Sequence, residues 1–365
     1  SKIISIATGV PAFKHDQENL FAFADKVYNH DATETRKLKY LYNKSGIDHR
    51  YSVTNDYSVP SAERQFFSER DDLEPFPSLE KRMEWYHQYA SKLSVKTIRD
   101  CIENKISKDE ITHLITVSCT GMSAPGLDLQ VMEQRQLPRN LVRTSVNFMC
   151  CYAAVHALKL ADAFCAGDPN ANVVIVCTEL CTLHFQKEPT VDNITSSLLF
   201  GDGCAALLIQ GIHGREKGIQ LKHFFSDVSF NGKTEMAWEL SSKGFLMTLT
   251  GYVPELIKED FKALVTKALA SENKTIDDIT HWCIHPGGKK ILDCIATGLE
   301  MNMDKLHHSY DVLREYGNMS SPTILFVLKK IWDSLQADPP KKTATIFGAA
   351  FGPGLTMETF TAEYD

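Results

Sequence analysis

The stretch Asn147-Phe148-Met149-Cys150-Cys151-Tyr152-Ala153-Ala154 marks the point where an apolar run ends at two adjacent cysteines and a helical pattern begins. From Cys151 onward, small and apolar residues recur at helical spacing as far as Phe164, and Gly167 suits the end of the helix. A thiol in the first helical turn lies beside unpaired backbone N–H groups, which lower its pKa and favour the thiolate. The pattern therefore predicts a reactive cysteine, although a cysteine in an apolar segment is more commonly a buried core residue.

The overall composition is that of a globular protein, with 365 residues, 43% hydrophobic and 23% charged content, and a formal net charge of -7. This length fits one large layered domain or two fused similar halves. The negative charge argues against nucleic acid as the main partner. No run of 18 apolar residues occurs, and the apolar part of Ser1–Gly9 is too short for a signal peptide, so we expect no integral membrane segment.

The ten cysteines lie inside apolar runs, and no CxxC pair occurs. A disulfide-rich secreted protein would carry its cysteines at loop spacings instead. We therefore expect reduced thiols in the cytoplasm, with neither a metal site nor a redox cofactor.

An internal repeat connects two distant parts of the chain. Residues 109–117 and 277–285 have the same order of residue types: two acidic residues, then Ile-Thr-His, then a predicted apolar strand. The isoleucines of the two triplets, at 111 and 279, are 168 positions apart. The same offset carries position 150 to Asn318, just before a predicted helix over Pro322–Leu335, and carries the apolar strand at 172–177 to another near 342–348. Three elements thus recur in register.

This recurrence predicts an α/β fold built from two pseudo-repeated, layered halves (αβαβα), residues 1–212 and 213–365, packed about a pseudo-twofold axis. Cys151 and Asn318 would then open equivalent helices and face each other. His285 ends a predicted strand before the turn Pro286-Gly287-Gly288, which places it in the same region.

These three side chains suit nucleophilic chemistry on a carbonyl group. A nucleophilic cysteine needs a basic partner, and a carbonyl substrate needs hydrogen-bond donors where its oxyanion develops. Simpler interpretations exist for two of these residues: His285 is a core histidine, and Asn318 is a turn or helix-cap residue. For the third, the neighbouring Cys150 is the alternative reactive thiol. We favour Cys151 because the helical pattern starts there.

Five ordered blocks of the sequence resemble the signature blocks of chalcone synthase-like type III polyketide synthases. They are Cys150-Cys151-Tyr152-Ala153-Ala154, Leu199-Phe200-Gly201-Asp202-Gly203, His285-Pro286-Gly287-Gly288, Tyr316-Gly317-Asn318-Met319-Ser320-Ser321 and Gly352-Pro353-Gly354-Leu355-Thr356-Met357-Glu358-Thr359. The resemblance runs from about residue 2 to residue 361. It implies a homodimer of thiolase-fold subunits that load an acyl group from a coenzyme A thioester and extend it with malonyl-CoA.

The resemblance also implies roles for the three candidate residues. Cys151 would carry the acyl chain, while His285 and Asn318 would stabilise the enolate formed as malonyl-CoA loses carbon dioxide. Phe200 matches the family's gatekeeper phenylalanine, and the second gatekeeper position aligns with Met247. No metal or redox cofactor is implied.

The substrate cavity and the coenzyme A entrance are implied by the same alignment. The cavity-lining positions fall on Cys119, Cys181, His184, Trp238, Met247 and Ser320. The plant enzymes carry threonines at the first three and glycine in place of Trp238, so the resemblance is to the microbial branch. Lys37 and Lys44 match basic positions that bind coenzyme A phosphates, but Tyr40 stands where the family has an arginine, for which Lys39 is a possible substitute.

The microbial branch implies a synthase of long-chain alkylresorcinols or alkylpyrones from fatty acyl-CoA starters. The alternative within the family is a malonyl-primed synthase of the tetrahydroxynaphthalene or phloroglucinol type. A ketoacyl synthase III or hydroxymethylglutaryl-CoA synthase would share the fold and the cysteine. A Cys-His-Asn hydrolase or a non-catalytic acyl-CoA binder would leave the repeat or the reactive thiol unexplained.

Overall fold

The computed structural model of the chain describes residues 1–211 and 217–365. The boundary that we expect between residues 212 and 213 lies outside the described residues. The strands are β1 Lys2–Gly9, β2 Phe13–Asp16, β3 His49–Ser52, β4 His113–Ser118, β5 Val142–Asn147, β6 Asn172–Leu180, β7 Asp202–Gln210, β8 Ile219–Val228, β9 Met236–Ser241, β10 Gly244–Leu249, β11 His281–Ile284, β12 Ala344–Gly352 and β13 Thr356–Tyr364. The helices are α1 Gln17–Tyr28, α2 Ala32–Lys44, α3 Leu79–Ile102, α4 Leu127–Arg135, α5 Ala153–Gly167, α6 Val191–Leu199, α7 Val253–Ala270, α8 Lys289–Gly298, α9 His307–Tyr316 and α10 Thr323–Ala337.

The central sheet repeats one strand order on either side of its middle. Within the described ranges it has nine strands in the order β11-β12-β13-β8-β1-β7-β6-β4-β5. Counted outward from the centre, β1-β7-β6-β4 and β8-β13-β12-β11 have the same directions, since β4–β6 and β11–β12 are parallel and the other pairs are antiparallel. The predicted fold of two similar α/β halves is confirmed.

The Ile-Thr-His triplets that suggested the repeat make equivalent hydrogen bonds. The Thr112 hydroxyl donates to the Asn172 carbonyl at 3.0 Å, and the Thr280 hydroxyl donates to the Thr345 carbonyl at 2.9 Å. Each threonine thereby ties the start of one parallel strand to the start of its neighbour. The similarity between the triplets therefore reflects a shared structural role.

Two buried helices form the middle layer of the molecule. On α5, small residues such as Ala154 and Ala157 are fully buried, and the helix contacts both β6 of its own half and β13 of the other. On α10, Ile324 and Leu328 are fully buried, and the helix contacts β11 of its own half and β1 and β7 of the other. Small side chains on α5 allow this close approach. On the outside, α3 packs on β1, β6 and β7 and α7 packs on β8, and their buried side chains belong to a different core cluster from those of α5 and α10. The layers are therefore αβαβα.

The starts of two helices are defined in detail by the structure. The long helix α3 runs without a break from Leu79 to Ile102, with the Ser78 hydroxyl accepting from the Lys81 N–H as its N-cap. The helix expected to begin at Cys151 begins at Ala153, because Cys150–Tyr152 form a short 3-10 turn first.

Candidate active site

Cys151 lies in the 3-10 turn that leads into α5, at the centre of the molecule. Its residue is 6% exposed, and its Sγ lies 3.7 Å from the Ser320 hydroxyl oxygen. Burial raises the pKa of the Cys151 thiol to about 12. This direction is opposite to the lowering expected at a helix start, because burial has a larger effect than the hydrogen bonds that Ser320 and Asn318 make to the thiol.

The two middle helices begin at equivalent places, but their starts are separated by a slightly larger offset than the 168 residues between the Ile-Thr-His triplets. α5 begins at Ala153 and α10 at Thr323, 170 positions apart, which makes Ser320 the counterpart of Cys150. Both residues have left-handed backbone, with φ of 54° at Cys150 and 61° at Ser320. Such backbone is uncommon for residues with a Cβ and marks a locally constrained turn. The two turns bring the beginnings of both middle helices to one place.

Asn318 and the predicted gatekeeper Phe200 are held together by the backbone. The Asn318 N–H donates to the Leu199 carbonyl and the Gly201 N–H donates to the Asn318 carbonyl, each at 2.9 Å. The Asn318 side chain accepts from the Ser320 N–H at 2.8 Å, so its amide nitrogen is the end available for donation, with one weak bond of 3.3 Å to the Gly287 carbonyl. Asn318 is therefore both a turn residue and an oriented donor.

His285 follows β11 and is anchored through its backbone N–H, which donates to the Ala349 carbonyl at 2.8 Å. Its side chain is buried, and in the described part of the chain neither ring nitrogen has a hydrogen-bond partner. Burial lowers the pKa of His285 to about 3, which leaves the imidazole neutral. Two unsatisfied buried nitrogens are costly, and they point to a group that binds there.

Cys151, His285 and Asn318 line one cavity, with about 410 Å³ of free space, together with Phe200 and Met247. A neutral thiol, a neutral imidazole and an oriented amide can transfer a proton and stabilise an oxyanion. Imidazole and thiol are not hydrogen-bonded to each other in this structure. The assembly is therefore a set of neutral groups around an empty space, not a preformed ion pair.

A second cavity, with about 690 Å³ of free space, shares Cys150, Phe200 and Met247 with the first. All six residues assigned to the substrate cavity from the alignment line it: Cys119, Cys181, His184, Trp238, Met247 and Ser320.

The hairpin β9–β10 forms one wall of this second cavity. Trp238 and Met247 are cross-strand neighbours on it, and the Trp238 indole N–H donates to the Cys119 carbonyl at 2.8 Å. His184 stacks on Phe245 with ring centroids 4.5 Å apart, and burial lowers the pKa of His184 to about 3. Aromatic contacts and several hydrogen bonds, among them one from the Phe245 N–H to His184 Nδ1 at 3.1 Å, thus hold the hairpin against the rest of the cavity wall.

Glu179 is a buried residue next to the site that the sequence reasoning missed. Its carboxylate accepts from the N–H groups of Cys119 (2.9 Å) and Thr120 (3.1 Å) and from the hydroxyls of Thr120 and Ser321 (both 2.7 Å). It therefore joins the ends of β4 and β6 to the turn before α10. A carboxylate in the otherwise apolar segment 173–180 was the signal in the sequence.

The predicted coenzyme A residues lie apart from the cavities, on the exposed face of α2. The Lys37 ammonium is 2.7 Å from the Glu34 carboxylate, and Lys44 is exposed. Tyr40 is 63% exposed, while the Lys39 ammonium lies 5.9 Å from the centre of the Phe21 ring. Lys39 is thus directed toward an aromatic ring on α1.

The described residues form neither a metal-binding cluster nor a membrane-spanning helix. Across residues 1–211 and 217–365, no group of three or more His, Cys, Asp and Glu side chains is arranged to hold a metal ion. Within the same ranges, no helix is both long and apolar enough to cross a bilayer.

Comparison with known proteins gives matches along almost the whole chain. The profile of the family described as "Chalcone and stilbene synthases, N-terminal domain" matches residues 1–212, and that of the C-terminal domain matches residues 220–363. A Mycobacterium tuberculosis protein named "Alpha-pyrone synthesis polyketide synthase-like Pks18" is 30% identical over 98% of this chain and 89% of its own length. A "Putative chalcone synthase" of Bacillus subtilis is 28% identical over 98% of this chain and 96% of its own.

Solved structures match the fold over the full chain. PKS-I of the brown alga Ectocarpus siliculosus superposes with a TM-score of 0.92 at 24% identity, covering 100% of this chain and 98% of that one. The 1,3,6,8-tetrahydroxynaphthalene synthase of Streptomyces coelicolor superposes with a TM-score of 0.88 at 24% identity, covering 100% and 99%.

Proposed function

The chain belongs to the chalcone and stilbene synthase family and is a type III polyketide synthase, an acyltransferase-type condensing enzyme; from this premise we propose that it extends an acyl chain on Cys151 with malonyl-CoA. The proposed products are alkylpyrones or alkylresorcinols grown from fatty acyl-CoA. The name of the mycobacterial relative, which refers to alpha-pyrone synthesis, supports the pyrone product.

The first step we propose is acyl transfer from coenzyme A to Cys151. The neutral His285 imidazole takes the thiol proton as sulfur attacks the thioester carbonyl, and the proton leaves with the coenzyme A thiol. Starting from two neutral groups suits a buried site, where a charged pair would be costly to form before the substrate is present.

The second step is decarboxylation of malonyl-CoA. The thioester oxygen of malonyl-CoA accepts hydrogen bonds from the His285 ring N–H and the Asn318 amide, which stabilise negative charge as carbon dioxide leaves. The resulting enolate carbon attacks the acyl thioester on Cys151 and releases its sulfur. The lengthened chain then returns to Cys151 for another extension or is cyclised.

One observation carries this proposal. His285 presents two unpartnered buried nitrogens to the cavity that Cys151 and Asn318 also line. Folded proteins rarely leave such groups unsatisfied unless a ligand binds there.

Coenzyme A and a second subunit complete the proposed assembly. Lys37 and Lys44 lie two turns apart on one face of α2, and the exposed Lys37–Glu34 pair is weak enough to yield to a phosphate. The edge strand β5 and the exposed apolar side chains of Met122, Leu129 and Val142 support a homodimer. We expect a cytoplasmic enzyme that needs no cofactor beyond its thioester substrates.

A malonyl-primed synthase is the second candidate. Arg50, Gln186 and Ser196 line the larger cavity, and each has a buried polar atom without a hydrogen-bond partner among the described residues, which favours a chain with oxygen atoms. A long alkyl chain would leave these groups without partners.

Mass spectrometry of intact protein and products tests the proposed function. The purified enzyme is incubated with a series of acyl-CoA starters, with and without malonyl-CoA. We expect an acyl adduct on Cys151 and pyrone or resorcinol products from the preferred starter. Cys151→Ala should form neither, whereas Cys294→Ala, which removes a thiol outside both cavities, should retain both. Turnover by Cys151→Ala would contradict the assignment.

A further inference from the structure

Most polar groups on the wall of the larger cavity are bonded within the protein. The Tyr57 hydroxyl donates to the Thr182 carbonyl at 2.7 Å, the Ser197 hydroxyl to the Ile194 carbonyl at 2.8 Å, and the Asn193 amide to the Glu188 carbonyl at 2.9 Å. These groups have no need of a ligand.

Three polar atoms on the same cavity differ from this pattern. Among the described residues, Arg50 Nη2, Gln186 Oε1 and Ser196 Oγ are shielded from solvent and have no hydrogen-bond partner. Arg50 and Gln186 are 3% and 6% exposed, so neither can turn to water at the surface. Leaving such groups unpaired is costly.

Internal hydrogen bonds fix the orientation of two of these side chains. Arg50 donates from Nε to Gln17 Oε1 at 3.1 Å and from Nη1 to the Phe200 carbonyl, and it forms no ion pair in the described ranges. Gln186 donates from its amide nitrogen to the carbonyls of His184 and Lys243, both at 3.1 Å, so its oxygen is the free end. Three residues that line the cavity therefore carry a charged donor, an acceptor and a hydroxyl that can do either, each without a partner among the described residues.

We propose that Arg50, Gln186 and Ser196 form a subsite that binds the keto and enol oxygens of the unreduced chain growing on Cys151. Decarboxylative condensation without reduction leaves a ketone on every second carbon, and neighbouring ketones interconvert with an enol. A ketone oxygen accepts from Arg50, an enol O–H donates to Gln186, and Ser196 serves either form. The subsite deepens the proposed function and depends on it, and it holds the chain extended until cyclisation.

The cavity that contains the nucleophile adjoins the cavity that contains this subsite. Cys150, Phe200 and Met247 line both cavities, and Cys119 and Ser320 line the larger one beside Cys151. The Arg50 guanidinium donates to the carbonyl of Phe200, so the proposed subsite adjoins a residue that lines both cavities.

The test compares product lengths for Ser196→Ala and Arg50→Lys with the wild-type enzyme. Ser196→Ala removes a hydroxyl that makes no bond within the described protein, so it separates binding from folding. The control Thr195→Val removes a hydroxyl from the same helix that donates to the Val191 carbonyl at 2.8 Å and lies outside the cavity. Products and Cys151 adducts are measured by mass spectrometry with one starter and malonyl-CoA.

We expect Ser196→Ala to raise the ratio of short, prematurely released lactones to full-length product about fivefold, the effect of one lost hydrogen bond. Arg50→Lys should raise it further, and Thr195→Val should keep the wild-type ratio. An unchanged ratio in Ser196→Ala and in folded Arg50→Lys would overturn the subsite, leaving these atoms to bound water. Absence of any Cys151 adduct in the wild-type enzyme would instead overturn the proposed function.

Discussion

At the scale of single residues, burial decides the protonation state of the catalytic candidates. It raises the pKa of Cys151 to about 12 and lowers that of His285 to about 3, so both are neutral across the physiological range. Removing both groups from water disfavours both charges. Both shifts disfavour a thiolate–imidazolium pair between these two residues.

Alkylation of Cys151 by iodoacetamide should therefore depend steeply on pH. Because the folded-state pKa is raised, the thiolate fraction is small at neutral pH and grows about tenfold per pH unit until the pH approaches 12. We expect the alkylation rate, followed by peptide mapping, to rise with this slope from pH 6 to pH 9. A rate that is constant from pH 5 to 7 would indicate an ion pair and contradict the neutral state.

Asn318→Ala should slow decarboxylation of malonyl-CoA about a hundredfold, the cost of one oxyanion donor, and should affect starter loading much less. The two steps are measured separately, by release of carbon dioxide and by the mass of the acyl-enzyme. Asn318→Asp is the matched control, because it keeps the oxygen that accepts from the Ser320 N–H but has no amide donor. Recovery of decarboxylation in Asn318→Asp would mean that Asn318 acts only as a turn residue.

At the scale of elements, the hairpin β9–β10 sets the dimensions of the larger cavity. Trp238 is fixed by its bond to the Cys119 carbonyl and by ring contacts with His184 and Phe245. Replacing it removes a large rigid volume from the wall, whereas the strands themselves stay paired.

Trp238→Gly should therefore lengthen the chain that the enzyme builds or change its mode of ring closure. Liquid chromatography with mass spectrometry of the products from one starter gives the number of extensions directly. Trp238→Phe keeps most of the ring but loses the indole donor, so it separates the effect of volume from that of the hydrogen bond. If Trp238→Gly gave the wild-type products, Trp238 would not limit the chain.

The elements themselves could largely be predicted from the sequence, because buried strands and amphipathic helices have distinct periods. The two Ile-Thr-His triplets predicted that the chain consists of two repeated halves. The elements β4, β6, β11 and α10 occur where the sequence pattern predicts them. The start of α5 was missed by two residues, because a 3-10 turn with left-handed Cys150 has no local signature. Arg50 was missed for another reason: its burial depends on packing from distant segments that composition does not reveal.

At the scale of the whole molecule, the two end strands of the described sheet differ, because β11 is mostly buried whereas β5 is mostly exposed. β5 bonds to β4 on one side, and Val142 on it is 48% exposed. An unpaired edge with apolar side chains favours association with another strand. This edge is where we expect the second subunit.

Light scattering should give about twice the chain mass of 41.0 kDa. Val142→Lys should shift the protein toward the monomer, because it places a charge at the proposed contact. Val228→Lys, which changes a valine that is 40% exposed on β8, is the control and should leave the mass unchanged. A monomeric wild-type protein would contradict the proposed dimer.

The central position of β1 has a consequence for how the chain reaches this fold during synthesis. Ile3 pairs with Ile209 on β7 and with Ile219 on β8, so β1 meets its neighbours only after roughly 200 further residues have been made. At ribosomal speeds this delay is about 10–40 s, during which the apolar face of β1 has no partner strand. The nascent first half therefore has to be kept from aggregating, and chaperone supply should govern how much active enzyme a cell obtains.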